Sequence, residues 1–90
     1  MIHESMTTLP AAEIISRAKA FFAERVPNNA AYPEREGPAF LTLRGQGGEE
    51  IAFAVMPAPG GSRIRASTLF FDQAVQRFLS TLPEPVEAAR

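Results

Sequence analysis

The apolar residues of this chain recur at helical spacing in two segments. In residues 10–26, apolar side chains return every three or four positions, which predicts an amphipathic helix that starts near Pro10. Residues 72–82 show the same spacing, and the carboxylate of Asp72 is predicted to cap this second helix. Each helix should therefore bury one apolar stripe against a shared core.

Between the helices, apolar and polar residues alternate with the spacing of β-strands. The connections GQGG at 45–48 and PAPGG at 57–61 are typical of hairpins, so these strands are expected to pair antiparallel in chain order. Residues 3–9 contain two adjacent threonines and are predicted to add a first strand, which makes the sheet three- or four-stranded. The three alternating runs are 39–44, 49–56 and 62–70.

Together these elements predict an α+β fold in the order β-α-β-β-β-α. Both helices are expected to pack on one face of an antiparallel sheet, in a single small domain that spans residues 1–90. Residues 27–38 contain three prolines and two adjacent asparagines and are predicted to form a long Pro-rich loop. Residues 83–90 are predicted to be a frayed tail.

Side-chain alternation assigns each strand residue to one of two faces of the sheet. The most apolar set is expected to face the helices, because a slip of one residue would expose it. The opposite, helix-free face then mixes small and apolar side chains with arginines, unlike an ordinary solvated face. The inward set is Leu41, Leu43, Ile51, Phe53, Val55, Ile64, Ala66 and Phe70, and the helix-free set is Phe40, Thr42, Arg44, Ala52, Ala54, Met56, Arg63, Arg65, Ser67 and Leu69.

Three interpretations of the helix-free face stay open from the sequence. In the first, Arg63 and Arg65 are solvated charges that deter aggregation and shield the small residues Ala52 and Ala54. In the second, the face binds a protein, either a second copy or a larger partner. In the third, the two arginines bind the acidic group of a small molecule. The predicted interaction face comprises Phe40, Thr42, Ala52, Ala54, Met56, Arg63, Arg65, Ser67 and Leu69.

Composition narrows the classes of function. Nine basic and ten acidic residues are interspersed and give a net charge of −1, which argues against nucleic acid as a partner. The chain has no cysteine, and His3 is its single histidine, so disulfides, thiolate catalysis and sites with several Cys or His ligands are excluded. Eight arginines against one lysine are typical of a GC-rich bacterial genome. Because no signal-peptide pattern or membrane-spanning apolar run is found, we expect a cytoplasmic protein without membrane insertion.

No constellation with catalytic spacing is found in the sequence. GQGGEE at 45–50 lacks the lysine and the following helix of a phosphate-binding loop. His3, Ser67 and Asp72 do not suggest a triad, because no glycines surround Ser67 as in a nucleophile elbow. We therefore predict a non-enzymatic interaction module without cofactor or metal, which self-associates or docks on a larger protein through the helix-free face. The alternative is a small binding protein for an apolar or acidic ligand.

Two segments resemble the helix-grip architecture of the START-like and polyketide-cyclase-like superfamily. TTLPAAEIISRAKAFF at 7–22 is similar to its strand-to-helix transition, and GGSRIRASTLFFDQAVQRFLSTL at 60–82 is similar to its last strand and closing helix. The resemblance implies an apolar ligand held between the sheet and the closing helix. Here that helix is short and bulky phenylalanines would fill the space, so a half-sized sheet completed by a second copy is the other implication.

Overall fold

The computed structural model describes residues 1–24 and 31–84, which form two helices and one antiparallel sheet. The elements in chain order are β1 (Ile2–Thr7), α1 (Ala11–Glu24), β2 (Ala31–Gly37), β3 (Phe40–Gly45), β4 (Glu50–Ala58), β5 (Gly61–Thr68) and α2 (Asp72–Ser80). The strand order across the sheet is β1-β5-β4-β3-β2. Strands β2 to β5 are therefore a meander, and β1 joins its far edge next to β5.

The predicted α+β fold with an antiparallel sheet is confirmed, but the sheet has five strands rather than three or four. The additional strand is β2, which lies inside the segment 27–38 that was predicted to be a loop. Pro33 is tolerated because β2 is an edge strand, and a shift in the pairing register between Pro33 and Arg35 absorbs the irregularity. Residues 27–30 lie outside the described residues.

The ends of the predicted segments differ in detail from the structure. Helix α1 is described as far as Glu24, and the predicted end at Val26 lies outside the described residues. Pro83 was predicted to belong to a frayed tail, yet its carbonyl oxygen accepts hydrogen bonds from the N–H of Thr8 and the hydroxyl of Thr7. The rest of that predicted tail, residues 85–90, is outside the described part of the chain.

Both helices cover the same face of the sheet, and phenylalanine rings form the centre of the contact. The ring centroids of Phe22 and Phe53 lie 6.1 Å apart, and those of Phe53 and Phe78 lie 5.6 Å apart. Phe21 lies 5.5 Å from Phe78 and so connects the two helices directly. Rings from both helices therefore fill the space above the middle of the sheet.

The predicted strand parity is confirmed for the residues within the strands. Phe53 and Ile64 are buried under the helices, as expected if the apolar positions face inward. The buried strand residues that face the helices are Leu41, Leu43, Ile51, Phe53, Val55, Ile64 and Ala66.

Phe70 is the exception, because it was predicted to face inward and is exposed to solvent. Strand β5 ends at Thr68, so the alternation stops two residues before the sequence pattern suggested. Thr68 occupies the buried position instead, and its hydroxyl oxygen accepts the N–H of Phe71 at 3.2 Å. Phe71, and not Phe70, then enters the core at the start of α2.

Gly61 permits a close approach between the β4–β5 hairpin and β1. A Cβ atom added at this position would overlap the backbone carbonyl oxygen of Thr7. The preceding Gly60 has a φ of 79°, in the left-handed region that side chains disfavour. This hairpin therefore requires both glycines, Gly60 for the conformation of its turn and Gly61 for its contact with β1.

Candidate interaction face

The pairing registers place the predicted interaction residues on adjacent positions of the helix-free face. Phe40 lies opposite Ala54, which lies opposite Arg65, and Arg65 in turn lies opposite Glu4 of β1. The neighbouring row is Thr42, Ala52, Ser67 and Ile2, and the third row is Met56, Arg63 and Met6. Leu69 follows the end of β5 and therefore belongs to the border of this face rather than to a strand row.

Exposed apolar side chains are concentrated on this face and at its end. Sequence reasoning missed two of them, Ile2 and Tyr32, because β1 was predicted from residue 3 and β2 was predicted to be a loop. Alternation along the two edge strands would have assigned Ile2 and Tyr32 to this face, but the assignment requires the pairing partners of those strands to be known. The exposed fractions are 52% for Ile2, 55% for Tyr32, 40% for Phe40, 43% for Met56 and 78% for Leu69.

The side chains at the centre of the helix-free face are small, and larger side chains surround them. Ala52 and Ala54 lie side by side on β4, the middle strand, with Phe40 and Met56 next to them. Small side chains at the centre leave the sheet backbone close to the surface, so another flat surface can approach it.

The charges on this face include both signs. Nε of Arg65 lies 4.0 Å from a carboxylate oxygen of Glu4, and both side chains are exposed, so this pair is weak. Among the described residues, Arg63 has no carboxylate partner within ion-pair distance. The two arginines predicted to border the face therefore differ in their neighbours, since Arg65 lies beside Glu4 of the adjacent strand and Arg63 has no such carboxylate among the described residues.

A stronger ion pair occupies the β2–β3 side of the face. Nη2 of Arg44 donates to Oε1 of Glu34 at 2.7 Å, and Nη1 donates to the carbonyl oxygen of Gly48. This hydrogen bond lowers the pKa of Glu34 and raises the pKa of Arg44 from their ordinary values. Arg44 thus joins β2, β3 and the β3–β4 hairpin, which leaves its guanidinium with partners inside the chain.

An apolar pair protrudes where β5 ends. Leu69 and Phe70 are both exposed, Phe70 to 76% of its full area. They border an open cleft of 650 Å³, whose other side is the β3–β4 hairpin around Gly47 and Gly48. Two adjacent large apolar side chains in solvent extend the apolar character of the helix-free face beyond the sheet.

His3 and Asp72 connect the edge strand β1 to the first turn of α2. Nε2 of His3 lies 2.7 Å from Oδ1 of Asp72, and the imidazole donates because an ionised carboxylate can only accept. The predicted capping role of Asp72 is wrong, since Phe71 occupies the N-cap position and α2 has no side-chain cap. Ser67 lies on the opposite face of the sheet, so these three residues do not assemble into a triad.

Asp72→Asn is expected to lower stability near neutral pH and to lose this effect in acid. The hydrogen bond from His3 lowers the pKa of Asp72 below its ordinary value of 3.8. A carboxyl group of this kind stabilises the fold above its ordinary pKa, and the contribution disappears as the pH falls through the folded-state pKa. The difference in urea midpoint between wild type and D72N should therefore be largest above about pH 5 and shrink toward about pH 2.

Glu13→Gln is the control for this measurement. Glu13 pairs with Arg17 on the exposed surface of α1 at 3.0 Å, a contact that contributes little at any pH. Urea titrations of the three proteins at several pH values, followed by circular dichroism, give the comparison. A D72N effect of constant size from neutral pH to acid would contradict the assigned role of the carboxylate.

Comparison of the chain with protein-family models, curated proteins and solved structures finds no match. The helix-grip resemblance therefore stays a prediction. Within residues 1–24 and 31–84, neither helix has the length and apolar character needed to cross a membrane. In the same residues, no three His, Asp or Glu side chains are grouped as metal ligands would be.

Proposed function

We propose that this protein is a non-enzymatic interaction module whose helix-free sheet face binds a second copy of the chain. The observation that carries the proposal is the distribution of apolar side chains over the two faces. The apolar residues of β3, β4 and β5 that face α1 and α2 are buried, while the other face exposes Ile2, Phe40 and Met56 beside two central alanines. A sheet face of this composition is stabilised when a second layer covers it.

The interior of the fold favours a protein partner over an enclosed small ligand. A ligand between the sheet and the closing helix would occupy the volume that Phe22, Phe53 and Phe78 fill. Apolar surface available for binding is found instead on the outside of the sheet. The alternative of a small apolar or acidic ligand has no comparable supporting observation.

A second copy is the occupant that the charges on the face favour. Arg63 and Arg65 lie on β5, whereas Glu4 lies on β1 and Glu50 at the start of β4. An isologous contact brings the same patch from both copies together, so a patch with both signs can pair with itself. A partner whose surface carries charge of only one sign would leave either the arginines or the glutamates of this face unpaired.

The size of the face predicts a weak dimer. Five strands about 4.8 Å apart, each with about six residues that rise about 3.3 Å, give a plan area of about 480 Å². Two such faces together bury about 1,000 Å², near the lower bound of specific interfaces. We therefore expect self-association at micromolar or higher concentration. The cytoplasmic location is a separate prediction, which does not depend on the size of this face.

Ala54→Glu is expected to abolish self-association and leave the fold intact. Ala54 is exposed at the centre of the face, where the longer side chain of a glutamate would hold the two sheets apart and bring an additional charge between them, next to Arg65. Light scattering at increasing concentration should show a mass above 9.8 kDa for the wild type and 9.8 kDa for A54E. Circular dichroism should be the same for both proteins.

Ala12→Glu is the matched control, since it adds the same charge at an exposed position of α1 on the other side of the molecule. A12E should associate like the wild type. A wild type that stays at 9.8 kDa up to about 1 mM would rule out binding of a second copy at the affinity expected here. Equal association of A54E and wild type would place the contact elsewhere.

A further inference from the structure

The two edges of the sheet are not equally protected against another strand. The β2 edge contains Pro33, a register shift at that residue, and the charged residues that follow it. Proline, irregular pairing and charge are the features that prevent a further strand from joining an edge. Strand β1 contains no proline and pairs with β5 over six residues without a shift, so the charge of Glu4 is its main protection.

The outer side of β1 has hydrogen-bonding groups directed away from β5. The N–H and carbonyl of Met1 both pair with Thr68, which makes this a hydrogen-bonded pair of the ladder. Such pairs alternate, so Ile2, Glu4 and Met6 direct their backbone groups outward. Thr8, two residues after Met6, also directs its N–H outward, and this N–H donates to the carbonyl oxygen of Pro83 at 3.3 Å.

A groove runs beside these groups. It has a volume of 440 Å³ and lies between β1 and α2, and its apolar lining is Ile2 and Met6 on the strand side and Leu79 and Leu82 on the other. Glu4 and Glu84 line it, and none of the lysines or arginines within residues 1–24 and 31–84 does, so the charge of this part of the groove is acidic. A strand in this groove would find backbone partners on one side and a helix on the other.

From this edge and groove we propose a second binding site, which takes an extended peptide segment of another protein as a sixth strand antiparallel to β1. The residue of the peptide opposite Glu4 is basic, and the residues on either side of it are apolar and point toward Leu79 and Leu82. Main-chain hydrogen bonds to Ile2, Glu4 and Met6 supply affinity, and the alternate side chains supply specificity. This site shares Ile2, Glu4 and Met6 with the border of the helix-free face, but it uses their outward backbone groups and the groove beside α2.

A second copy is a poorer occupant of this edge. Antiparallel pairing of two β1 strands through the outward groups of Ile2, Glu4 and Met6 would place Ile2 opposite Met6 and Glu4 of one copy directly opposite Glu4 of the other. Like charges in directly opposed positions destabilise a strand pair. A basic residue in the incoming strand removes this conflict and adds an attractive pair.

The test uses the fluorescein-labelled peptide STVKVTS, whose lysine would lie opposite Glu4 and whose valines would face the groove. Anisotropy titrations use the A54E chain, so that self-association through the helix-free face does not compete with the peptide. The result can then be interpreted whether or not the wild type self-associates. We expect STVKVTS to bind at least about tenfold more tightly than STVEVTS. Glu4→Lys, at an exposed position, should reverse this preference.

A peptide with an N-methyl group on its lysine amide tests the strand geometry. It keeps every side chain and removes one donor directed at β1, so it should lose at least about tenfold in affinity. Amide resonances of Ile2, Glu4 and Met6 should shift when STVKVTS binds. The proposal is overturned by equal affinity for the N-methylated peptide, by shifts that leave the β1 amides unchanged, by a β1-mediated dimer of A54E, or by no binding at about 1 mM peptide.

Discussion

Phe22→Ala is expected to leave the protein largely unfolded at 25 °C. Phe22 is fully buried and contacts rings from the sheet and from α2, with centroids 6.1 Å from Phe53 and 6.3 Å from Phe78. Truncation of a buried phenylalanine costs about 3–5 kcal/mol through lost burial and the remaining cavity. A small domain has about 5 kcal/mol of stability in total, so little would remain.

The matched control is Phe40→Ala, the same truncation on the helix-free face. Phe40 is partly exposed and lies outside the core, so its loss should cost less than about 1 kcal/mol. Thermal and urea unfolding followed by circular dichroism would measure both variants. Similar losses for the two variants would contradict the assignment of inner and outer faces. F40A should also weaken self-association. A loss of association with little loss of stability would show that Phe40 contributes to binding more than to folding.

Gly61→Ala is expected to detach β1 from the sheet or to unfold the chain. The added methyl group would overlap the carbonyl oxygen of Thr7, a backbone atom that cannot move without disturbing the β1–β5 ladder. Overpacking of this kind typically costs about 1–3 kcal/mol, and the lost strand pairing would add to it. Amide hydrogen exchange would show the loss as faster exchange in β1 and β5.

Gly47→Ala is the control for the glycine substitution. A methyl group there meets only the end of the flexible Glu49 side chain, which can rotate away. Its effect on the thermal midpoint should be small. If G61A and G47A had the same midpoint as the wild type, the close approach of the β4–β5 hairpin to β1 would be incorrect.

Local patterns were sufficient for most of the fold. The inward positions of Phe53 and Ile64 follow from alternation within a strand, which needs no knowledge of distant partners. The two helical stripes follow from spacing in the same way. The helix-free surface was therefore predictable in its central three strands, and its binding function remains a prediction.

The features that were missed depend on contacts between distant parts of the chain. Strand β2 has only Ala31 buried and contains Pro33, so its sequence has no alternating pattern. Its pairing with β3 is what makes it a strand. The contact of His3 with Asp72 spans 69 positions, and no spacing rule predicts it. The outward direction of the backbone groups of Ile2, Glu4 and Met6 could be assigned only when the pairing of β1 with β5 was known.

The pairing of β1 with β5 also has a consequence for synthesis of the chain. Ile2 lies opposite Ser67, so β1, which is made before the other strands of this sheet, must wait for the last of them. At about 5–20 residues per second, this delay lasts several seconds. Strands β2, β3 and β4 can pair with their immediate neighbours during that time, whereas β1 stays unpaired. A nascent chain of this topology would expose an incomplete sheet edge to other polypeptides until translation of β5 is finished.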